Sequence, residues 1–372
     1  MLIGVPREIK PDEYRVGLTP TSVREIIAAG HSVIVETGAG DGIGMPDASY
    51  QLAGAEVVAD ADSIFARAEM VVKVKEPQPV ECARLREGQI LFTYLHLAPD
   101  PEQAASLLAS GVIAIAYETV TASDGSLPLL APMSEVAGRM AVQAGAHCLE
   151  REAGGAGILL GGVPGVRAAN VVVIGGGVVG TNAIRVAMGM EAQVTVIDRS
   201  LKRLQALDFQ FGGRLNTIYS TREAVEEYAT DADLVVGAVL VVGAAAPRLL
   251  NRENLRQMRD GSVLVDVAID QGGCFETSRP TTHSDPTYIE EGIVHYCVAN
   301  MPGAVPRTSA YELNNATLPY VLALANKGYP QALLDDPGLR DGLNVHCGQV
   351  THPAVAEALG YSWLPPVDAL RA

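Results

Sequence analysis

Short apolar runs alternate with segments of helical periodicity along most of the chain. The runs are rich in Val, Ile and Leu, and Gly or Pro marks the ends of many segments between them. Thr19 followed by Pro20 is typical of a helix start, and Gly30 ends that helix. This alternation predicts βα units and a parallel, doubly wound sheet. The predicted strands of this first series are 2–5, 32–36, 55–58, 69–74, 89–95 and 112–117, and two further helices are predicted at 62–68 and 101–110.

A second series of the same kind begins near residue 170. A long helix is predicted before it, capped by Ser134 and reaching about Glu152, followed by a glycine-rich connection. After residue 306 the pattern changes to helices, at about 309–326 and 354–359. The predicted strands of the second series are 171–174, 193–197, 217–219, 234–236, 263–267 and 294–298, with helices near 179–189, 200–211, 222–229 and 251–259.

We therefore predict an α/β protein with two doubly wound, Rossmann-like domains. The first domain is discontinuous, at 1–128 and 307–372, and the second, at 129–306, is inserted into it. A chain of 372 residues is long enough for two domains of ordinary size. The 38 glycines and the low aromatic content, 5%, suit buried parallel strands with helices packed closely on them.

Charge and cysteine content exclude several classes of protein. The formal net charge is −16 and Lys and Arg form no long run, which argues against nucleic acid and anionic membranes as partners. The five cysteines, Cys82, Cys148, Cys274, Cys297 and Cys347, include no C-x-x-C pair, so neither a zinc site nor a disulfide framework is indicated. No signal peptide and no apolar run long enough to span a membrane is visible. We expect a cytoplasmic protein with free thiols.

The segment 171–181 carries the most specific motif of the chain. An apolar run leads into Gly175, Gly177 and Gly180, which have G-x-G-x-x-G spacing. In a dinucleotide site the first glycine allows a tight turn, the second lets the backbone approach a pyrophosphate, and the third lets the helix pack on the strand. The helix N-terminus then binds the phosphates through its free N–H groups and its dipole.

The position of Asp198 makes the glycine motif more specific for a dinucleotide site. Asp198 ends the next predicted strand, 18 residues after Gly180, close to the roughly 20 residues expected of the acid that bonds a ribose 2′-hydroxyl. The alternative is an ordinary strand–turn–helix with glycines for packing, which leaves the position of this acid unexplained. Turn, strand and acid together predict a dinucleotide site. Asp198 favours NAD, because it repels a 2′-phosphate, although Arg199 beside it softens that repulsion.

Three chemically useful residues follow predicted strands, where ligands bind in open α/β sheets. Lys75 and His96 follow strands of the first series, and Asp270 follows one of the second. Each has a structural alternative: a surface lysine beside Glu76, a histidine that ends a strand, and a cap of the turn 271–273. Arg15 is a cation near them, or a member of a surface ion pair. Together they predict a site between the domains.

These residue types suit a small, polar substrate. An arginine fork can hold a carboxylate with paired bonds. Histidine titrates near neutrality and can donate or accept a proton. A nicotinamide bound at the predicted dinucleotide site would perform a redox step.

Several long motifs resemble the L-alanine dehydrogenases and the related transhydrogenase α subunits. The resemblance extends from residue 1 to about 360, and His96 and Asp270 favour the dehydrogenase branch. The matching segments are Gly4-Val-Pro-Arg-Glu8, Arg15-Val-Gly-Leu-Thr-Pro20, Val74-Lys-Glu-Pro77, Tyr94-Leu-His96, Met133-Ser-Glu135, the glycine turn and Asn300-Met-Pro-Gly-Ala-Val-Pro-Arg-Thr308.

The resemblance implies reversible, NAD-dependent oxidative deamination of L-alanine to pyruvate and ammonium. It implies that Arg15 and Lys75 bind the substrate, that His96 donates and accepts the proton, and that Asp270 is the second catalytic residue. The first domain is then the substrate domain and the second the cofactor domain. Besides the three motif glycines, the residues expected at the cofactor are Ser134, Val178, Val179, Asp198, Arg203, Ser220, Val239, Leu240, Val267, Asp270, Arg279, Val298, Asn300 and Met301.

The resemblance also implies a homohexamer. Some members of the family carry a metal on a late helix, but Ala323 and Lys327 stand at the corresponding places here, so we place no metal. Two alternatives stay open. One is another enzyme on the same fold, either a transhydrogenase-type hydride carrier or a dehydrogenase of a larger amino acid. The other is a nucleotide-binding regulator without turnover.

Overall fold

Strands and helices alternate through the part of the chain that the computed structural model describes, residues 1–239 and 247–371. The strands are β1 Leu2–Val5, β2 Ser32–Glu36, β3 Glu56–Val58, β4 Met70–Val72, β5 Ile90–Thr93, β6 Ile113–Ala116, β7 Asn170–Ile174, β8 Gln193–Asp198, β9 Leu215–Tyr219, β10 Leu234–Gly237, β11 Val263–Asp266, β12 Thr287–Glu290, β13 Ile293–Tyr296, β14 Leu343–His346 and β15 Gln349–Val350.

Helices connect most successive strands, as parallel sheets require. They are α1 Pro20–Ala28, α2 Asp47–Leu52, α3 Ala61–Arg67, α4 Pro79–Cys82, α5 Pro101–Ser110, α6 Ala131–Cys148, α7 Val178–Gly189, α8 Leu201–Phe211, α9 Arg222–Thr230, α10 Arg252–Leu255, α11 Pro306–Lys327, α12 Tyr329–Asp335, α13 Pro337–Asp341, α14 Pro353–Leu359 and α15 Pro366–Ala369.

The chain forms two compact units, and the first is discontinuous. The first unit comprises Met1–Met133 and Val305–Ala372, and the second comprises Ser134–Ala304. The predicted α/β class, with one Rossmann-like unit inserted into another, is confirmed.

The first unit is built on an eight-stranded sheet with the order β15-β14-β6-β5-β4-β1-β2-β3. Strands β1 to β6 are parallel, and the order reverses between β1 and β4. Strands β4, β5 and β6 are buried along their whole length, because helices cover both faces. The carboxyl ends of β1, β4 and β5 therefore meet at one edge, at a switch point where ligands bind in such sheets.

The second unit contains a seven-stranded sheet with the order β12-β13-β11-β10-β7-β8-β9. All of its pairs are parallel except β12 with β13. The order reverses between β7 and β10, so the loop after β7 lies at the switch point. That loop is the glycine turn 175–177.

Several predicted element boundaries are wrong. Helix α6 begins at Ala131 rather than after Ser134, and it ends at Cys148. Pro132 stands in its first turn, where the fixed φ of proline favours helix initiation. Ser134 is consequently a residue inside the helix, not its cap.

Three strands were not predicted. Strand β12 is an edge strand without a buried position, so it lacks the apolar alternation that marks a strand. Strands β14 and β15 form a hairpin that extends the first sheet. Its turn uses Cys347 and Gly348, at φ of +47° and +83°, where hairpins more often have Asn-Gly.

Within the described residues, no helix combines the length and the apolar character that a membrane crossing requires.

Candidate functional site

The carboxyl edge of the first sheet collects three of the predicted site residues. Arg15 lies in the loop after β1, Lys75 follows β4, and His96 follows β5. Because these strands are neighbours or near neighbours in one parallel sheet, the three segments share one edge. The sequence prediction of strand-end positions is correct for Lys75 and His96.

The guanidinium of Arg15 is buried and held by Glu13. Arg15 donates from Nε to Glu13 Oε1 at 2.7 Å and from Nη2 to Glu13 Oε2 at 2.5 Å, and both side chains are 1% exposed. Its Nη1 lies 3.0 Å from the sulfur of Met133. The ion pair that was the structural alternative for Arg15 is therefore present, but it is buried rather than at the surface.

Lys75 acts on the same carboxylate. Burial alone would raise the pKa of Glu13, but the hydrogen bonds and charge of Arg15, with the charge of Lys75, hold that pKa below its ordinary value. The charge of Lys75 also lowers the pKa of Glu76, against a raising effect of burial. Thr93 Oγ1 donates to the Lys75 carbonyl at 2.9 Å and ties the end of β4 to β5. Arg15 and Lys75 thus both act on the Glu13 carboxylate.

His96 stands at the end of the same edge. Its backbone has φ of +49°, and its ring lies parallel to that of Tyr94, with centroids 5.8 Å apart and planes at 4°. The His96 side chain is 46% exposed, and its Nδ1 lies 3.9 Å from Glu118 Oε1. The Tyr94 hydroxyl donates to the Leu129 carbonyl at 2.5 Å, which fixes the ring on which the imidazole stacks.

A cavity of about 340 Å³ lies beside Arg15, between the loops that follow β1 and β2. Its walls carry charges of both signs, from Arg7, Lys10 and Arg15 and from Glu8, Asp12, Glu13 and Asp41. Charged walls of this kind suit a small, polar molecule better than an apolar one.

Asp270 belongs to the second unit, so its convergence with His96 stays a prediction. It lies in a 3₁₀ turn, Val267–Gln271, directly after β11, and its side chain is exposed. Within the described residues its carboxylate has no hydrogen-bond or ion-pair partner.

The capping role that was the alternative for Asp270 belongs to Asp266. This buried carboxylate accepts hydrogen bonds from Ala268 N at 3.1 Å, Cys274 N at 2.7 Å and Ser278 Oγ at 2.5 Å. Burial raises the pKa of Asp266, and these bonds oppose the rise. The turn is therefore held without Asp270.

The three glycines of the motif meet different surroundings. Gly175 has φ of +101°, and a Cβ there would lie 2.5 Å from the Ala238 carbonyl oxygen. A Cβ on Gly180 would lie 1.8 Å from the Gly175 carbonyl oxygen, so this glycine is required by the packing of α7 on the turn. A Cβ on Gly177 would meet nothing within 4 Å. Among residues 1–239 and 247–371, no contact requires glycine at 177, which leaves room there for a ligand at the start of α7.

Asp198 lies beside the glycine turn. Its carboxylate accepts from Gly176 N at 2.7 Å and from Ser200 N at 2.7 Å. Arg203 crosses the same turn, donating to the Gly176 carbonyl and to Thr181 Oγ1. The acid predicted from spacing is therefore at the strand end next to the motif.

The other predicted cofactor residues also lie mainly at the carboxyl edge of the second sheet. Ser220 follows β9, Val239 follows β10, Val267 follows β11, and Val298, Asn300 and Met301 follow β13. Val178 and Val179 open α7, Ser134 lies in α6, and the Arg279 guanidinium stacks 3.8 Å above the Tyr288 ring. Leu240 lies outside the described residues.

Sequence reasoning missed three carboxylates around these residues. Glu13 was available as the acid two residues before Arg15. Glu118 could have been found by the strand-end rule, since it follows β6. Asp266 closes an apolar strand, and nothing in the sequence separates its role from that of Asp270.

Two doubly wound units, a glycine turn at a switch point and an acid at the next strand end define the class of two-domain Rossmann-like proteins with a nucleotide site. The models of two family domains cover nearly the whole chain. "Alanine dehydrogenase/PNT, N-terminal domain" matches residues 4–137, and "Alanine dehydrogenase/PNT, C-terminal domain" matches residues 141–353. The chain belongs to the alanine dehydrogenase/PNT family.

Relatives that match over their full length are alanine dehydrogenases. An alanine dehydrogenase of Halomonas elongata is 60% identical over 364 residues, which cover 98% of each chain. An alanine dehydrogenase of Mycolicibacterium smegmatis is 54% identical over 100% of this chain and 99% of its own. Among solved structures, an L-alanine dehydrogenase matches with a TM-score of 0.94 at 53% identity, covering 97% of this chain and 99% of the other.

Proposed function

We propose that this protein catalyses the reversible NAD-dependent oxidative deamination of L-alanine to pyruvate and ammonium. The observation that carries the proposal is the grouping of Arg15, Lys75 and His96 at one edge of the first sheet. Identities of 53–60% to alanine dehydrogenases over the whole chain support the same reaction.

Arg15 and Lys75 bind the substrate's carboxylate and carbonyl oxygen. Glu13 already occupies two N–H groups of Arg15, so this ion pair is close to neutral and Lys75 supplies the net positive charge. The charged cavity beside Arg15 favours a small zwitterion over a large apolar side chain.

His96 transfers the proton at the substrate's amine and at the carbinolamine. Its partly exposed ring suits this role, because a general acid–base must exchange protons with solvent or substrate. Asp270 is the second catalytic group, whose free carboxylate holds the amine and orients water. The contacts of Asp266 support this assignment, because Asp266 and not Asp270 accepts the hydrogen bonds that hold the turn.

The second unit fits a nicotinamide dinucleotide. The open space at Gly177, the N-terminus of α7 without a side-chain cap, and Asp198 next to the turn suit pyrophosphate and ribose. When bound, the nicotinamide supplies the hydride acceptor of the oxidation. The charge of Asp198 favours NAD, because it repels a 2′-phosphate. Arg203 and the other predicted residues at this edge complete the proposed site.

The first unit is accordingly the substrate domain and the second the cofactor domain. We further propose a homohexamer, as the family resemblance implies. The cysteine pattern favours a reducing compartment, the cytoplasm. All five thiols are free, and four of them are buried.

A substrate comparison tests the proposed reaction. Oxidation of NADH by the purified protein is measured with ammonium and one of three 2-oxo acids: pyruvate, 2-oxobutyrate or glyoxylate. We expect the highest kcat/KM with pyruvate. Absence of NADH oxidation with all three acids would overturn the proposal. A preference for a larger acid would indicate another amino-acid dehydrogenase.

A further inference from the structure

His96 has a backbone conformation that its surroundings must maintain. Its φ of +49° lies in the left-handed region, which is unfavourable for a residue with a Cβ. The residue follows β5 closely, so this conformation turns the chain sharply at the edge of the sheet. The direction of the imidazole depends on that turn.

The carboxylate of Glu118 binds the backbone at this turn. Its Oε1 accepts from His96 N at 2.6 Å, and its two oxygens lie 3.3 and 3.2 Å from Leu95 N. Glu118 follows β6, the neighbour of β5, and its side chain is 13% exposed. Two successive N–H groups converge on one anion, as in the backbone nests that bind anions. Bonds to an ionised acceptor are roughly twice as strong as neutral ones.

The ring of His96 has few other constraints. It stacks on Tyr94, and its Nδ1 lies 3.9 Å from Glu118 Oε1, which is too long for a hydrogen bond. Within the described part of the chain, the ring makes no hydrogen bond. Glu118 therefore acts on His96 through the main chain.

We propose that Glu118 is a positioning residue that holds His96 in its left-handed conformation and so directs the imidazole toward the substrate. The inference rests on the proposed role of His96. A misplacement of about 1 Å can reduce a rate by roughly 100-fold. Glu118 thus contributes to kcat without contact with the substrate.

Three variants separate this role from a general structural one. Glu118→Ala removes the acceptor, and Glu118→Gln keeps one carbonyl oxygen for the His96 N–H. Glu36→Ala is the matched control, because Glu36 is a buried glutamate at the end of β2 that accepts Arg7 N at 2.8 Å. With pyruvate and ammonium, we expect Glu118→Ala to lower kcat by roughly 10- to 100-fold. Glu118→Gln and Glu36→Ala should stay within a few-fold of the parent.

The double variant His96→Ala/Glu118→Ala tests whether Glu118 acts through the histidine. If it does, removing Glu118 leaves the residual rate of His96→Ala unchanged within about twofold, since coupled residues are not additive. A further tenfold loss in the double variant would overturn the proposal. The proposal would also be overturned if Glu118→Ala and Glu36→Ala had the same kcat.

Crystal structures of Glu118→Ala and Glu118→Gln give a readout that does not depend on the reaction. We expect φ of His96 to leave the left-handed region in the alanine variant and to remain there in the glutamine variant. If φ of His96 stays near +49° in Glu118→Ala, Glu118 does not hold the backbone. This conclusion is independent of the reaction that the enzyme catalyses. A further outcome is an inactive parent protein together with a φ of His96 that leaves the left-handed region in Glu118→Ala. That pair of results would contradict the proposed reaction but not the positioning role of Glu118.

Discussion

Glu13 and Arg15, two residues apart in the chain, form a buried ion pair with two hydrogen bonds. The pair fixes the plane of the guanidinium in the proposed substrate site. A buried charge that loses its partner is far more costly than an exposed one. Glu13 therefore determines both the geometry of the proposed substrate site and the stability of its loop.

Glu13→Gln tests this dual role. Breaking a buried pair costs about 3–5 kcal/mol, so we expect a clear loss of stability in denaturant titrations and a raised KM for pyruvate. Glu56→Gln is the matched control, because Glu56 and Arg67 also form an ion pair with two hydrogen bonds, but at the surface. That variant should lose little or no stability, because an exposed ion pair contributes little. Equal losses in the two variants would contradict the role of burial.

The pKa of Glu13 also gives its pH dependence a sign. Because the folded-state pKa is lowered, the pair stabilises the protein above the ordinary titration range of a carboxyl group. That contribution is lost as the pH falls through the lower folded-state value. The stability difference between the parent and Glu13→Gln should therefore shrink on acidification. A difference that grows with acid would contradict the lowered pKa.

Asp270 and Asp266 provide a paired test of catalysis against structure. Asp270→Asn keeps the shape but removes the charge, so we predict a large fall in kcat with a melting temperature close to the parent. Asp266→Asn should lower the melting temperature, because Asp266 accepts the hydrogen bonds that hold the turn. Near-normal kcat in Asp270→Asn would leave catalysis to Arg15, Lys75 and His96.

Asp198 tests the choice of cofactor. Asp198→Asn retains an oxygen for the Gly176 N–H but no longer repels a 2′-phosphate. Since facing like charges cost several kcal/mol, the ratio of kcat/KM for NAD over NADP should fall by roughly tenfold or more. Asp208→Asn, a change at an exposed acid on α8, is the control and should leave the ratio unchanged. An unchanged ratio in Asp198→Asn would mean that Asp198 does not face the ribose.

Substitutions at the motif glycines separate a role in packing from a role in ligand binding. Gly180→Ala places a Cβ 1.8 Å from a carbonyl oxygen, so it should lower the melting temperature. Gly177→Ala meets no atom of the described residues and should melt like the parent. The Kd for NADH, measured by fluorescence titration, should rise by roughly tenfold, because this glycine lets the backbone approach the pyrophosphate. Gly189→Ala, at the open end of α7, should change neither stability nor affinity adversely. Parental NADH affinity in Gly177→Ala would place the pyrophosphate elsewhere.

The sequence predicts the fold well where strands are buried on both faces. Continuous apolar runs such as 171–174 have one plausible structure between glycine and helix signals, and the strands there are confirmed. Edge elements carry a weaker signal, as the unpredicted β12 and the hairpin β14–β15 illustrate. Their burial pattern is partial or their turn residues are unusual, so tertiary pairing determines them.

The candidate site is predictable only as far as strand ends are predictable. The rule found Lys75 and His96 because each follows an apolar run. The strand-end rule could not show that Glu13 forms a buried ion pair with Arg15 or that Glu118 binds the His96 backbone. It also could not show that Asp266 caps the turn beside Asp270. Glu118 and His96 are 22 residues apart. Asp266 and Asp270 are acids near the same strand end, and Glu13 is one of two adjacent acids before Arg15. Three-dimensional packing decides which of them takes each role.

The incorporation of ¹⁵N-labelled ammonium tests the central claim most directly. The purified protein is incubated with pyruvate, NADH and ¹⁵N-ammonium, and the products are followed by NMR and chiral chromatography. The account predicts one ¹⁵N-labelled L-alanine for each NADH oxidised, and no NADH oxidation when ammonium is omitted. NADH consumption that is independent of ammonium, or formation of a product without ¹⁵N, would contradict it.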